Sequence, residues 1–328
     1  MKLNQFFELS MVLDSDHFQR IFRMAYDRAG YLKENGDEYA DTSWSSKGII
    51  VVYRDSQYKK KIRLIINTHL LLDDESNIGK LPYKLEKRIA EYFNYKYHLD
   101  DFVLSGMSLI TDIDVGSRNN VLAYLKVLQR GGKVKGFSPT SYDGIDENSS
   151  FCLSGNSNAI DFLLYDLEQA VVGHLLDNDA GHKKITSASG HTQGILRAEV
   201  RLTKPLAIRA YTNVEDITGQ IIELSKKCQD VFLNVFIQIV PFGDFYKKDK
   251  AAEIVWHEVK DNVMRRKMIR LLTLIPEKKS LYLAQKAMNC RDVKRVMDFF
   301  AKINLSPVTI SKRHDVKHLD NLYSYFLK

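Results

Sequence analysis

The chain has few cysteines and few prolines, three and six in 328 residues. Cys152, Cys228 and Cys290 are odd in number and far apart. That spacing provides no disulfide framework and no Cys-x-x-Cys metal site, and it suits a reducing, cytoplasmic setting. No apolar run reaches the length of a bilayer span, so no membrane partner is expected. Met1-Lys-Leu-Asn-Gln leads directly into a strand-like stretch, without the pattern of a signal peptide.

Hydrophobic residues make up 45% of the chain and charged residues 27%. That is ample for a core in one large or two medium domains. The net charge of +7 is unevenly spread. Residues 1–205 hold 26 Lys and Arg against 27 Asp and Glu, a net of −1. Residues 206–328 hold 22 against 14, a net of +8. A basic last third is the electrostatic footprint of a partner with a phosphate backbone.

Strand and helix signals alternate through the first two-thirds. Residues 5–13 read as a strand, and Ser15 reads as the N-cap of a helix running to about residue 31. β-rich runs at 47–53 and 60–72 precede a helix at 83–95. Residues 102–115 form the longest strand candidate. Residues 117–128 are helical and close at Gly131-Gly132. Runs at 151–154 and 159–165 flank the turn cluster Gly155-Asn-Ser-Asn158. A polar loop at 178–193 precedes a strand at 197–201. Two rounds of strand–helix–strand–strand predict an α+β fold over residues 1–205, with a largely antiparallel sheet and helices on one face.

From residue 206 the pattern is helical. Helices are expected at 213–239, 251–272, 278–288, 292–303 and 308–323, with turns at Ile275-Pro276 and Asn304-Leu-Ser-Pro307. This all-helical domain, 206–328, is expected to bind DNA through Arg265, Arg266, Lys267, Arg270, Arg291, Lys294, Arg295, Lys312, Arg313 and Lys317.

Three strand candidates carry chemistry on an otherwise apolar background. They are Ser108-Leu-Ile-Thr-Asp-Ile-Asp-Val115, Ile160-Asp-Phe-Leu-Leu-Tyr-Asp-Leu-Glu-Gln169 and Ile195-Leu-Arg-Ala-Glu-Val-Arg-Leu202. Residues two apart share a strand face, so Asp112 pairs with Asp114, and Arg197, Glu199 and Arg201 line up. Carboxylates hold hard divalent metals, and a tyrosine hydroxyl can act as a covalent nucleophile. Asp112, Asp114 and Glu199 are the candidate ligands for Mg²⁺ or Mn²⁺, and Tyr165 is the candidate nucleophile. The alternative is a ladder of ion pairs, with Arg197 and Arg201 neutralising the acids.

These motifs resemble the replication initiators of rolling-circle plasmids and integrative elements, the Rep_trans type, which are related to filamentous-phage initiators and conjugative relaxases. Ile113-Asp114-Val115, Phe162-Leu-Leu-Tyr-Asp-Leu-Glu-Gln169 and Leu196-Arg-Ala-Glu-Val-Arg-Leu202 are similar to three strands of that family, and Leu64-Ile-Ile-Asn67 to a fourth. The resemblance covers roughly residues 60–205. It implies origin-specific nicking of one DNA strand by Tyr165, a covalent 5′-phosphotyrosyl link, and a free 3′-OH that primes synthesis or transfer. It implies Arg197 as a phosphate-holding residue. Origin duplex, nicked single strand, a host helicase and a second copy of the chain are the expected partners. The lysine that usually follows the Tyr-acid pair is Leu167 here, with Lys183 or Lys184 as replacements. No His-x-His pair occurs among the nine histidines, so carboxylates would have to hold the metal. The alternatives are a non-catalytic DNA-binding replication or copy-control protein, or an RNA-binding domain.

Overall fold

Ten segments with strand alternation join into one sheet in the computed structural model, which describes residues 2–72, 77–142, 144–177, 192–289 and 292–326. The first five strands are β1 (Asn4–Leu13), β2 (Lys33–Asn35), β3 (Glu38–Asp41), β4 (Ile49–Asp55) and β5 (Lys60–Asn67). The next five are β6 (Val103–Asp114), β7 (Phe137–Pro139), β8 (Ser150–Gly155), β9 (Ile160–Asp166) and β10 (Ile195–Leu202). Their order across the sheet is β2-β3-β4-β5-β1-β6-β10-β9-β8-β7. All nine pairings are antiparallel, as expected for the α+β class. The sequence reading had missed β2, β3 and β7. They are three or four residues long, too short for alternation to register.

The helices of this body are α1 (Ser15–Ala29), α2 (Thr68–Leu71), α3 (Leu81–Tyr92), α4 (Arg118–Gly131), α5 (Leu167–Asp177), α6 (Pro205–Arg209) and α7 (Ile217–Ile239). Asp14 rather than Ser15 caps α1, accepting a hydrogen bond from the His17 backbone N–H at 2.9 Å. A carboxylate at this position also complements the positive end of the helix. Ser117 caps α4, which ends at Gly132.

Alternation gives the two sheet faces different roles. Phe7, Leu9, Ile62, Leu64, Ile66, Leu109, Ile113, Phe162, Leu164 and Leu196 are buried on one face, against which α1, α4 and α7 pack. The other face carries half-exposed and charged side chains such as Glu8, Arg63, Asp112 and Asp114. Among the described residues it is covered near β8–β10. There Cys152, Leu163 and Tyr165 form a small cluster with Tyr142, Ile145 and Ala170 of α5.

The expected division at residues 205 and 206 does not follow the packing. Leu224, Val231, Phe232 and Phe236 of α7 belong to the same hydrophobic core as the sheet. Phe236 meets the rings of Phe162, Phe232, Tyr323 and Phe326. A second core lies among α8 (Lys248–Glu258), α9 (Asn262–Lys278), α10 (Leu281–Ala287) and α11 (Val293–Lys302), centred on Met268, Leu271, Leu272 and Phe300. The predicted helix at 251–272 is therefore two helices. Asp261 starts the second by accepting from the N–H groups of Val263 and Met264. Pro276 lies within α9 rather than in a turn, and the chain reverses at Lys279 in the left-handed region.

The predicted helix at 308–323 is absent. Val308-Thr-Ile310 is a β-branched run after Pro307, and such residues favour extended backbone. Val308 and Ile310 sink into the main core instead. The segment then pairs β12 (His318–Leu319) with β11 (Phe245–Tyr246). Gly132 brings the two cores together. Its φ is 67°, and an added Cβ would stand 2.1 Å from the Lys279 carbonyl oxygen, so no other residue fits there. Among the described residues no helix is long and apolar enough to cross a membrane.

Because α7 completes the sheet core, Phe236→Ala should destabilise the whole body by about 3–5 kcal/mol. Chemical denaturation monitored on the full chain checks this. A much smaller loss would mean that α7 is only loosely attached.

Candidate functional site

The sheet register brings together the polar residues of three neighbouring strands. β10 pairs with β6 so that Arg197 faces Asp112, Glu199 faces Ile110 and Arg201 faces Ser108. It pairs with β9 so that Tyr165 faces Arg197, Leu163 faces Glu199 and Asp161 faces Arg201. Directly opposed residues project to the same side. Asp112, Asp114, Tyr165, Arg197, Glu199 and Arg201 thus share the face that points away from α1, α4 and α7.

Arg197 grips Asp112 with two hydrogen bonds, Nε to Oδ1 at 2.6 Å and Nη2 to Oδ2 at 2.8 Å. Across the β9–β10 pairing it stands opposite Tyr165, and its charge acts on the phenol. Glu199, only 3% exposed, accepts from Arg201 Nε at 2.7 Å and Nη2 at 3.1 Å. The Arg201 guanidinium lies 5.1 Å from the centre of the Tyr142 ring. Asp161 accepts from Ser154 Oγ at 2.7 Å, and its charge helps burial to hold the Tyr142 hydroxyl pKa up. Separate polar groups thus stand side by side across four strands, from Ser154 on β8 to Asp112 on β6. Tyr142 had escaped the sequence reading because it lies in a loop without periodicity.

Tyr165 is 8% exposed. Burial pushes its hydroxyl pKa up, and the charge of Glu199 adds to this, while Arg197 and Arg201 act in the opposite direction. The phenol is therefore protonated at neutral pH.

The expected trio of metal ligands does not assemble. Asp112 and Glu199 are each bonded bidentately by an arginine. Asp114 faces Ile195, four residues along β10 from Glu199. At about 3.3 Å per residue the two carboxylates are about 13 Å apart along the strand direction. Asp114 instead accepts from the Gly116 N–H at 2.9 Å, closing the turn after β6. Among the described residues, donor spacing suited to a metal occurs at Asp244, His318 and Asp320. The ion ladder, the alternative read from the sequence, describes Asp112, Arg197, Glu199 and Arg201 better.

A second group lies on the helix-facing side, at the end of β9. Asp166 is buried, and its Oδ1 accepts from the N–H groups of Glu168 and Gln169, opening α5. Its Oδ2 has no hydrogen bond and stands 3.5 Å from Arg118 Nε. Arg118 is also 3.9 Å from Glu168 Oε2. It begins α4, a place where nothing in the sequence marks a link to β9.

The basic residues of the helical part divide by role. Arg265 donates twice to the Val259 carbonyl, at 2.9 and 2.6 Å, and stacks on Trp256, so it closes the turn between α8 and α9. Lys267 pairs with Asp292 at 2.7 Å, and Lys312 pairs with Asp249 at 3.2 Å. Arg266, Arg270, Lys294, Arg295, Arg313 and Lys317 are exposed. Arg291 and the cationic replacements Lys183 and Lys184 lie outside the described residues. Compared with known proteins, the chain matches no family model and no curated relative.

Asp166 generates a pH prediction. Burial, the largest effect, raises its pKa above the ordinary carboxylate value. Its contribution to stability is then complete below about pH 4, where the unfolded carboxyl is also protonated. It is lost as pH rises through the folded-state value. Asp166→Asn keeps an oxygen to open α5 and removes the charge. Its stability relative to wild type should therefore rise between pH 4 and pH 7, as read by urea midpoints. A gap that stays constant with pH would contradict a raised pKa.

Proposed function

We propose that the chain is a rolling-circle or transfer initiator that nicks DNA through Tyr165. The observation that carries this reading is the placement of Tyr165 directly opposite Arg197, on the sheet face turned away from α1, α4 and α7. A guanidinium is suited to binding a phosphodiester in two-pronged fashion. Arg197 must leave Asp112 to do so. That pair is partly exposed, with Asp112 37% accessible, so a phosphate can reach the guanidinium and compete with the carboxylate for it. The buried Glu199–Arg201 pair stays in place and orients the strand.

The Tyr165 oxygen attacks phosphorus, and the bond to the 3′ oxygen breaks. The phenol gives up its proton and the departing oxygen gains one. The product is a 5′-phosphotyrosyl ester and a free 3′-OH. No step is assigned to a metal, since Asp112, Asp114 and Glu199 do not converge.

The sheet order supports reading the body as two copies of one unit, β1-α1-β2-β3-β4-β5 and β6-α4-β7-β8-β9-β10. Each unit opens with a strand and a helix, and β1 and β6 meet at the centre. Duplex origin DNA would be held by the exposed cations of α9 and α11, Arg266, Arg270, Lys294 and Arg295, and the site of action would be cytoplasmic.

A second reading, a non-catalytic DNA-binding replication protein on the same fold, is favoured by the burial of Tyr165 and by Leu167 in the place of lysine. One experiment separates the two. Supercoiled DNA carrying the sequence around the chain's own gene is incubated with the protein and Mg²⁺ or Mn²⁺, and denaturation-resistant adducts are sought. The nicking reading expects an adduct in wild type and none in Tyr165→Phe. Arg197→Gln should slow its formation by about 10²-fold or more. An adduct that persists in Tyr165→Phe moves the nucleophile elsewhere. DNA binding without any adduct selects the non-catalytic reading.

A further inference from the structure

We propose that Asp244, His318 and Asp320 form a site for one divalent cation of the borderline class, such as Zn²⁺ or Co²⁺. The cation would clasp the C-terminal segment to the chain leaving α7. The inference does not rest on the DNA-nicking reading.

The register builds the site. β11 and β12 pair antiparallel, with Tyr246 opposite His318 and Phe245 opposite Leu319. One step further along the same register, Asp244 falls opposite Asp320. His318 and Asp320 are two apart, as are Asp244 and Tyr246, so all four side chains project to one side. Two short extended segments therefore present an imidazole and two carboxylates to the same point.

The distances suit a cation better than a hydrogen bond. His318 Nε2 is 3.7 Å from Asp244 Oδ2 and 3.7 Å from Asp320 Oδ1. The three donor atoms lie within 4.8 Å of one another. A separation of 3.7 Å is too long for a hydrogen bond. A metal bound at about 2.0–2.2 Å from nitrogen and oxygen ligands holds them about 3–3.6 Å apart, close to this spacing. Other imidazole–carboxylate pairs in this protein close fully. His17 meets Asp14 at 2.6 Å, and His98 meets Glu86 at 2.6 Å. At His318 the ring stands back equally from two acids.

The surroundings hold the donors in this arrangement. The Asn321 N–H occupies Asp244 Oδ1 at 2.8 Å, leaving Oδ2 turned towards the imidazole. The His318 ring stacks on Tyr246, with centroids 4.5 Å apart. Neighbours of this kind, which fix the orientation of a ligand, are typical of metal centres. His318 and Asp320 are exposed, so water can complete the coordination. Two carboxylates balance a double charge, and a mixed nitrogen and oxygen set suits borderline metals over Mg²⁺ or Ca²⁺.

The position gives the cation a role. Asp244 donates its N–H to the Asn304 carbonyl and accepts from the Ser306 N–H. Asn321 Nδ2 bonds Asn304 Oδ1 at 2.9 Å. Three segments meet at this point: the exit of α7, the exit of α11 and the returning C-terminal segment. A cation here would tie the helical core to the sheet core.

The test uses the full chain, stripped with chelator, and Co²⁺ as the probe. One equivalent of Co²⁺ should bind, with a visible ligand-field band that Zn²⁺ abolishes, and either metal should raise the thermal midpoint. His318→Gln and Asp320→Asn should each weaken Co²⁺ binding at least tenfold, while His17→Gln should leave it unchanged. Asp320 is at the surface, so its variant keeps the fold even if that at His318 does not. Failure of both Co²⁺ and Zn²⁺ to bind would overturn the proposal. So would equal binding by wild type and Asp320→Asn. A metal-free protein destabilised by His318→Gln with no response to metal would show that a histidine ion pair is all the cluster provides.

Discussion

The pairing of β1 with β6 is the constraint on which the rest depends. These strands come from different stretches of the chain, and their pairing joins the two five-stranded groups of the sheet. Their register sets Phe7 opposite Met107 and Phe6 opposite Ser108. A one-residue slip would exchange the buried and open faces of half the molecule. The irregularity between Glu8 and Leu9 adjusts the register midway. Gly106 sits at that point, where a Cβ would approach the Leu202 carbonyl oxygen to 3.0 Å. The close fit of β1, β6 and β10 follows from the absence of a side chain there.

The open face is held by charge rather than by oil. Arg63 reaches Glu38 at 2.9 Å and Glu8 at 3.6 Å in the N-terminal half, and Arg197 and Arg201 hold Asp112 and Glu199 in the other. The pairs differ in how readily they exchange. The Glu199 carboxylate is enclosed, and losing its arginine would leave a buried charge, which is strongly unfavourable. Asp112 is 37% accessible, so its pair with Arg197 is open to water. Tyr165 stands opposite Arg197 across the β9–β10 pairing, and the proposed nicking chemistry is placed there for that reason.

The N-terminal half shows what a purely structural polar centre looks like in this protein. Asp41 is fully buried and accepts from Arg28 Nη2 at 2.9 Å, Tyr92 Oη at 2.6 Å and the Ser43 N–H at 2.9 Å. Tyr53 bonds Tyr92 in turn at 2.9 Å, and Arg28 lies over the Tyr92 ring. Every group there is satisfied from within. The Tyr165 face and the Asp244 cluster are more open to water, which is why functional readings attach to them.

Legibility from sequence followed the range of the forces involved. The long strands β1, β6 and β10 and the helices α4, α7 and α11 were readable because period two or period 3.6 persists over seven or more residues. Alternation within each strand was readable, and it put Asp112 with Asp114 and Arg197 with Glu199; the sharing of one face by all of these and Tyr165 was set by register. Three features depended on the tertiary structure. The carboxylates proved to be partners of arginines because strand register, set by distant packing, placed Arg197 beside Asp112. Residues 308–323 became an extended strap because the main core accepts Val308 and Ile310, where local propensity leaves helix and strand close in energy. Asp244 met His318 and Asp320 only because the chain returned 74 residues later to pair with it. Local sequence determined which residues alternate, cap or break; long-range pairing, whose free energy is shared among many small contacts, decided which of them meet.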